Sequence, residues 1–136
     1  MTQIFAFGHS VTYGKGDTEG GWTQRLDREL KNLNLENEVY NLGIPGDTTK
    51  QLLDRTEEVT RRIYSEADVL IMIQIGANDI QKVGGELRVP PGKFEENLQK
   101  IIEKAKKTDE PSSPFRRRIH HNRGFSAMGS RKESKR

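Results

Sequence analysis

Apolar positions along the chain fall into short continuous runs and longer periodic stretches, and the two kinds alternate. The first run, Ile4-Phe5-Ala6-Phe7, stops at Gly8. It predicts a buried strand over about Thr2 to Phe7 that ends in a tight turn. Trp22, Leu26, Leu30 and Leu33 then recur at i, i+4, i+8 and i+11, which predicts a helix from about Gly21 to Leu33 with these residues on its inner face. A short strand is expected at about Glu38 to Asn41. After the turn Gly43-Ile44-Pro45-Gly46, either Asp47 or Thr48 is placed to cap a second helix, from about Thr49 to Tyr64. Leu52, Leu53, Val59 and Ile63 would face inward. Val69-Leu70-Ile71-Met72-Ile73 is continuous and of strand length, the pattern of a parallel strand buried on both faces. Gly84-Gly85 and Pro90-Pro91 mark a loop. Phe94, Leu98, Ile101, Ile102 and Ala105 give a third helix, about Lys93 to Lys106, its apolar face.

The order βαβαβα implies a parallel sheet with helices on both faces and right-handed crossovers. After Lys107 the pattern stops. Residues 108–136 carry eight Lys and Arg against three acids, a net +5, within a chain whose formal net charge is +3. The basic balance therefore belongs to this tail, and residues 1–107 carry −2. The expected organisation is an α/β domain over residues 1–107 and a basic tail of little structure over 108–136. The abrupt change also fits a reading frame shifted near Lys107, with the domain truncated there. Cysteine is absent, which removes disulfides and thiolate metal sites. No leader or membrane span is read in the sequence, and a cytoplasmic location is expected.

Ligands bind at the carboxyl ends of strands in such sheets. Three strand ends would meet there: Gly8-His9-Ser10, then Asn41-Leu42-Gly43-Ile44-Pro45-Gly46-Asp47, then Gly76-Ala77-Asn78-Asp79. A serine, a glycine-rich turn before a helix and an asparagine suit acyl transfer. Ser10 would attack a carbonyl, and the N–H groups of Ser10 and Gly46 with the amide of Asn78 would face the oxyanion. Each of these residues also has a plain structural reading, as a turn or capping residue.

These three blocks together resemble the SGNH hydrolase superfamily, the GDSL-type esterases and lipases. Gly8 to Gly14 match the first block, G-D-S-x-(T/S)-x-G, at every position but one, and Gly76 to Asp79 match the third, G-x-N-D, in full. The resemblance covers about residues 2–107. It implies a flavodoxin-like three-layer α/β/α sandwich with strand order 2-1-3-4-5, here incomplete at about three strands. It also implies a serine hydrolase acting on carboxylic esters through an acyl-serine. Ser10 is then the nucleophile, with Ser10, Gly46 and Asn78 forming the oxyanion hole. A small-molecule ester is the expected partner, with no metal or organic cofactor.

Two departures qualify this reading. His9 stands where the family has Asp. A residue beside the nucleophile in a tight turn is expected to point away from it, so His9 reads as a structural turn residue. The family's final block, D-x-x-H, is absent: Arg117 and Arg118 stand three residues before His120 and His121. A serine without its base is a poor nucleophile, so an impaired or inactive enzyme is expected. The alternative is a non-catalytic α/β remnant or binding module. A nucleic-acid role through the tail is the weakest reading. The open edge of the third strand is expected to promote self-association.

Overall fold

The computed structural model describes residues 1–64 and 66–108. Three parallel strands form the sheet: β1 (Thr2–Gly8), β2 (Asn37–Gly43) and β3 (Asp68–Gln74), in the order β2-β1-β3. The fold is the expected flavodoxin-like α/β type. Its helices are α1 (Ser10–Tyr13), α2 (Gly21–Asn32), α3 (Thr49–Arg55), a 3₁₀ helix at Thr56–Arg62, and α4 (Pro91–Lys107). A small hairpin, β4 (Lys82–Val83) and β5 (Glu86–Leu87), precedes α4.

Alternation along β1 sorts the core into two faces. Phe5 and Phe7 bury completely with Leu42, Leu52, Val59, Ile63 and Ile101, so α3, the 3₁₀ helix and α4 cover that face. Ile4 and Ala6 are also buried. Burying one such side chain contributes about 1.5–3 kcal/mol. Tyr40 stacks on Phe5 with ring centroids 4.7 Å apart. Gln3 is buried but satisfied: its Nε2 donates to the Arg62 carbonyl at 2.8 Å, and its Oε1 accepts from Tyr64 N–H at 2.8 Å. Tyr40 donates to the Glu38 carboxylate at 2.6 Å. That bond, then burial, pushes the phenol up to about 12.

Several elements differ from the sequence expectation. The second helix is α-helical only to Arg55 and then tightens to 3₁₀. Thr56 Oγ1 bonds back to the Leu52 carbonyl at 2.8 Å, and Thr56, Val59 and Thr60 are β-branched, which weakens the α form. Ser10–Tyr13, read as loop, is a single helical turn. Gly84 and Gly85, with φ of 62° and 85°, make the two-residue turn of the unexpected hairpin. Leu33 is the C-cap of α2 and is exposed, whereas Thr23 is buried. Ile102 on α4 is also exposed.

The expectation that β3 is buried on both faces fails. Leu70 is 48% and Met72 36% exposed. β3 is an edge strand, and among the described residues no strand pairs with its outer side. The basic tail lies outside the described residues except for Thr108, the C-cap of α4.

Gly8 closes the central strand, and the turn needs its lack of a side chain. An added Cβ would lie 2.1 Å from Thr12 Oγ1 and 2.7 Å from the Gln74 carbonyl oxygen. Gly8→Ala is expected to destabilise the protein by about 1–3 kcal/mol, the usual cost of overpacking. Urea unfolding would measure the loss, and an unchanged midpoint would show that the α1 turn moves freely away from β1.

Candidate active site at the strand ends

The three strands end level. In the register, Gly8 pairs with Gly43 on one side and Gln74 on the other. Every loop that leaves a strand's carboxyl end therefore starts from one edge of the sheet. The loop after β1 carries Ser10, that after β2 carries Gly46, and that after β3 carries Asn78.

Ser10 is partly buried at the first position of α1. The first N–H groups of a helix have no partner within it, so the Ser10 N–H takes no part in the helical bonds of α1. His9 is the N-cap, with φ −104° and ψ −147°. Its ring does not point away from Ser10, contrary to expectation. From the N-cap position the imidazole lies over the first helical turn. There Nδ1 accepts from Val11 N–H at 3.4 Å and lies 3.4 Å from Ser10 Oγ.

The loop after β2 is a tight turn. Asp47 N–H donates to the Ile44 carbonyl at 3.2 Å, with Pro45 and Gly46 between them. Gly46 has φ 87°. Pro followed by a left-handed Gly is the type II pattern. Its single closing bond uses the Asp47 N–H and leaves that of Gly46 out of the turn. Nothing lies within 4 Å of a Cβ added at Gly46, so the backbone angle, not crowding, favours glycine here.

Asn78 is buried, and its Nδ2 donates to the Asp47 carbonyl at 2.9 Å. A side-chain amide carries two N–H groups, so one remains after this bond. The third and second loops are thereby joined next to Gly46.

Asp79 serves a different purpose. It is 1% exposed, and its carboxylate accepts from Thr49 N–H at 3.0 Å and from Thr49 Oγ1 at 2.5 Å. Asn97 of α4 donates to the same hydroxyl at 3.1 Å. The negative charge lies at the first turn of α3, where the helix dipole favours it. Thr48 is the N-cap of α3, and the Gln51 side chain reaches back to its N–H at 2.7 Å. Of the two candidate caps, Thr48 fills the role.

Two residues that organise this edge were not singled out in the sequence. Arg55 pairs with Asp47 at 2.8 Å, donates to the Gly8 carbonyl at 3.3 Å, and lies over the Phe7 ring at 5.4 Å from its centroid. Ile44 N–H donates to the same carbonyl at 3.0 Å. Gln74 accepts at Oε1 from Thr12 Oγ1 at 2.9 Å and from Trp22 Nε1 at 3.2 Å. A polar residue closing the apolar run of β3 was the available signal for Gln74. Arg55 gave none, because its partners lie across a helix cap and on another strand. Among the described residues, no three His, Cys, Asp or Glu side chains are grouped to hold a metal ion.

A family model described as the GDSL-like Lipase/Acylhydrolase family matches residues 6–124. The chain belongs to this family. The match continues past Lys107, beyond the stretch that carries the three motifs. Solved structures agree with the GDSL-like assignment. AlinE4, an SGNH-hydrolase family esterase, is 26% identical with a TM-score of 0.64, over 78% of this chain and 53% of its own. The psychrotrophic esterase EstA from Pseudoalteromonas sp., in a structure inhibited by monoethylphosphonate, is 25% identical with a TM-score of 0.62, over 79% and 55%. The lipase/acylhydrolase from Enterococcus faecalis is 32% identical with a TM-score of 0.56, over 77% and 52%. The chain thus spans about half the length of these GDSL-like structures. No curated protein sequence matches it.

Asp79→Ala is expected to lower stability by about 2–3 kcal/mol, since it strips a charged acceptor from two buried donors. Asp79→Asn should lose less, because the amide oxygen still accepts. Thermal unfolding of both variants checks the order.

Proposed function

We propose that this GDSL-like chain is a serine hydrolase of carboxylic esters that works through an acyl-serine, with Ser10 as nucleophile. The Ser10 N–H, the Gly46 N–H and the Asn78 amide receive the oxyanion. The observation that carries this reading is the common edge: three in-register strands end beside one another, and the loops leaving them bring these three residues to it. Family membership supports the ester chemistry. Removing one oxyanion donor typically costs about 10²–10³ in rate, so Asn78→Ala should fall by that order.

A serine that works without an Asp-x-x-His pair would be slow. Binding and oxyanion donors alone typically retain about 10³–10⁴ over water. The second reading is a non-catalytic α/β domain that binds without turnover. Mass spectrometry after incubation with a fluorophosphonate separates the two. An adduct on the peptide bearing Ser10, missing in Ser10→Ala, is the expected result. An unmodified Ser10 leaves the binding module.

We also propose that the chain self-associates through the outer edge of β3. Leu70 and Met72 are exposed there. An apolar groove of about 320 Å³ runs between β3 and α4, lined by Val69, Ile71, Ile73, Ile102 and Ala105 among others. Unpaired edges of this kind template pairing with another chain. Sedimentation should give a species heavier than the monomer at micromolar concentration, and Leu70→Lys should reduce it. A monomer across that range would refute the proposal. No helix among the described residues is long and apolar enough to cross a membrane.

A further inference from the structure

We infer that His9 is the general base for Ser10. The inference rests on the reading of Ser10 as nucleophile.

The argument begins with the tautomer. Nδ1 of His9 accepts the Val11 N–H, so this nitrogen carries a lone pair. In the tautomer that accepts this bond, the ring proton is on Nε2. The same lone pair lies 3.4 Å from Ser10 Oγ. Both contacts are long, so neither commits the lone pair, and a small ring rotation shortens the one to Oγ at the expense of the other. Catalytic hydrogen bonds are often loose before substrate arrives. The cap therefore aims the ring: the N-cap position brings Nδ1 over the first turn of α1, where the nucleophile begins. His9 is 8% exposed, which limits competition from water. The charged groups tied to this turn are Arg55, which donates to the Gly8 carbonyl, and Asp47, which pairs with Arg55.

The family's Asp at this position would cap the turn equally well. A carboxylate, though, is a much weaker base than a neutral imidazole near neutral pH. His in place of Asp thus puts a stronger proton acceptor beside the serine.

The steps balance. As Ser10 Oγ bonds to the ester carbonyl carbon, its proton passes to His9 Nδ1. The C–O bond to the alcohol then breaks, and Nδ1–H protonates the leaving alkoxide. A water attacks the acyl-serine and gives its proton to Nδ1. Collapse releases the carboxylic acid, and the proton returns to Ser10 Oγ. With a fluorophosphonate, Oγ bonds to phosphorus, fluoride leaves, and the serine proton passes to Nδ1 and then to solvent.

The test measures the rate of Ser10 modification by a fluorophosphonate between about pH 5 and about pH 8, where histidine changes charge. The full chain is compared with His9→Asn, His9→Asp and Ser10→Ala, with a thermal melt of each. Asn and Asp both keep an N-cap acceptor, so the fold should persist. A base at Nδ1 gives a rate that rises from acid and then levels off once the ring is neutral. His9→Asn and His9→Asp should both react about 10²-fold more slowly on that plateau. Ser10 ionised by hydroxide alone would climb about tenfold per pH unit with no plateau. That profile in the unaltered chain overturns the inference, even if a variant fails to fold. Folded His9 variants that react as fast as the unaltered chain overturn it too, and leave Ser10 as nucleophile. No adduct on Ser10 in the unaltered chain overturns both readings.

Discussion

The structure depends on how closely the end of β1 approaches its neighbours. Gly8 brings backbone to within contact distance of Thr12 and of the β3 carbonyl at Gln74, and a methyl group would not fit between them. That closeness lets the chain turn at once from the central strand into α1. It also leaves the Gly8 carbonyl open to two donors, Ile44 N–H from the β2 loop and Arg55 from α3. One carbonyl thereby fixes the loop that carries Gly46 against the turn that carries Ser10. Asp47 extends the connection, through Arg55 on one side and through its own carbonyl to Asn78 on the other.

The ends of β1 and β3 were legible in the sequence because each apolar run stops at a residue of different character. Gly8 and Gln74 punctuate these runs, and the topology of a parallel sheet does the rest; β2, expected to stop at Asn41, continues to Gly43. What was not legible depends on contacts made in space. The change from α to 3₁₀ geometry after Arg55 follows from a hydroxyl bonding back along the chain and from where Val59 must bury. The partial exposure of β3 follows from its edge position, which its continuous apolar run does not encode. The bonds of Arg55 join elements far apart in sequence. The direction of the His9 ring is set by backbone angles at the N-cap, which residue identity alone leaves open.

The edge divides its tasks among chemically distinct groups. Backbone and amide donors come from turns whose geometry is held by a left-handed glycine and by buried hydrogen bonds. Asp79 and Arg55, the charged residues nearest the middle of these connections, are used up in anchoring α3 and the β2 loop. In the proposed reaction the acid–base role falls to His9, while Arg55 and Asp79 serve placement.

Gln74 has one further consequence. Its side-chain oxygen is shared by Thr12, two residues after the proposed nucleophile, and by Trp22, the only tryptophan in the chain. An indole N–H held by a bond to the same atom that steadies the α1 turn is an internal optical probe. Any ligand that shifts this turn alters the polarity and hydrogen bonding around Trp22, and its fluorescence records the movement without a label.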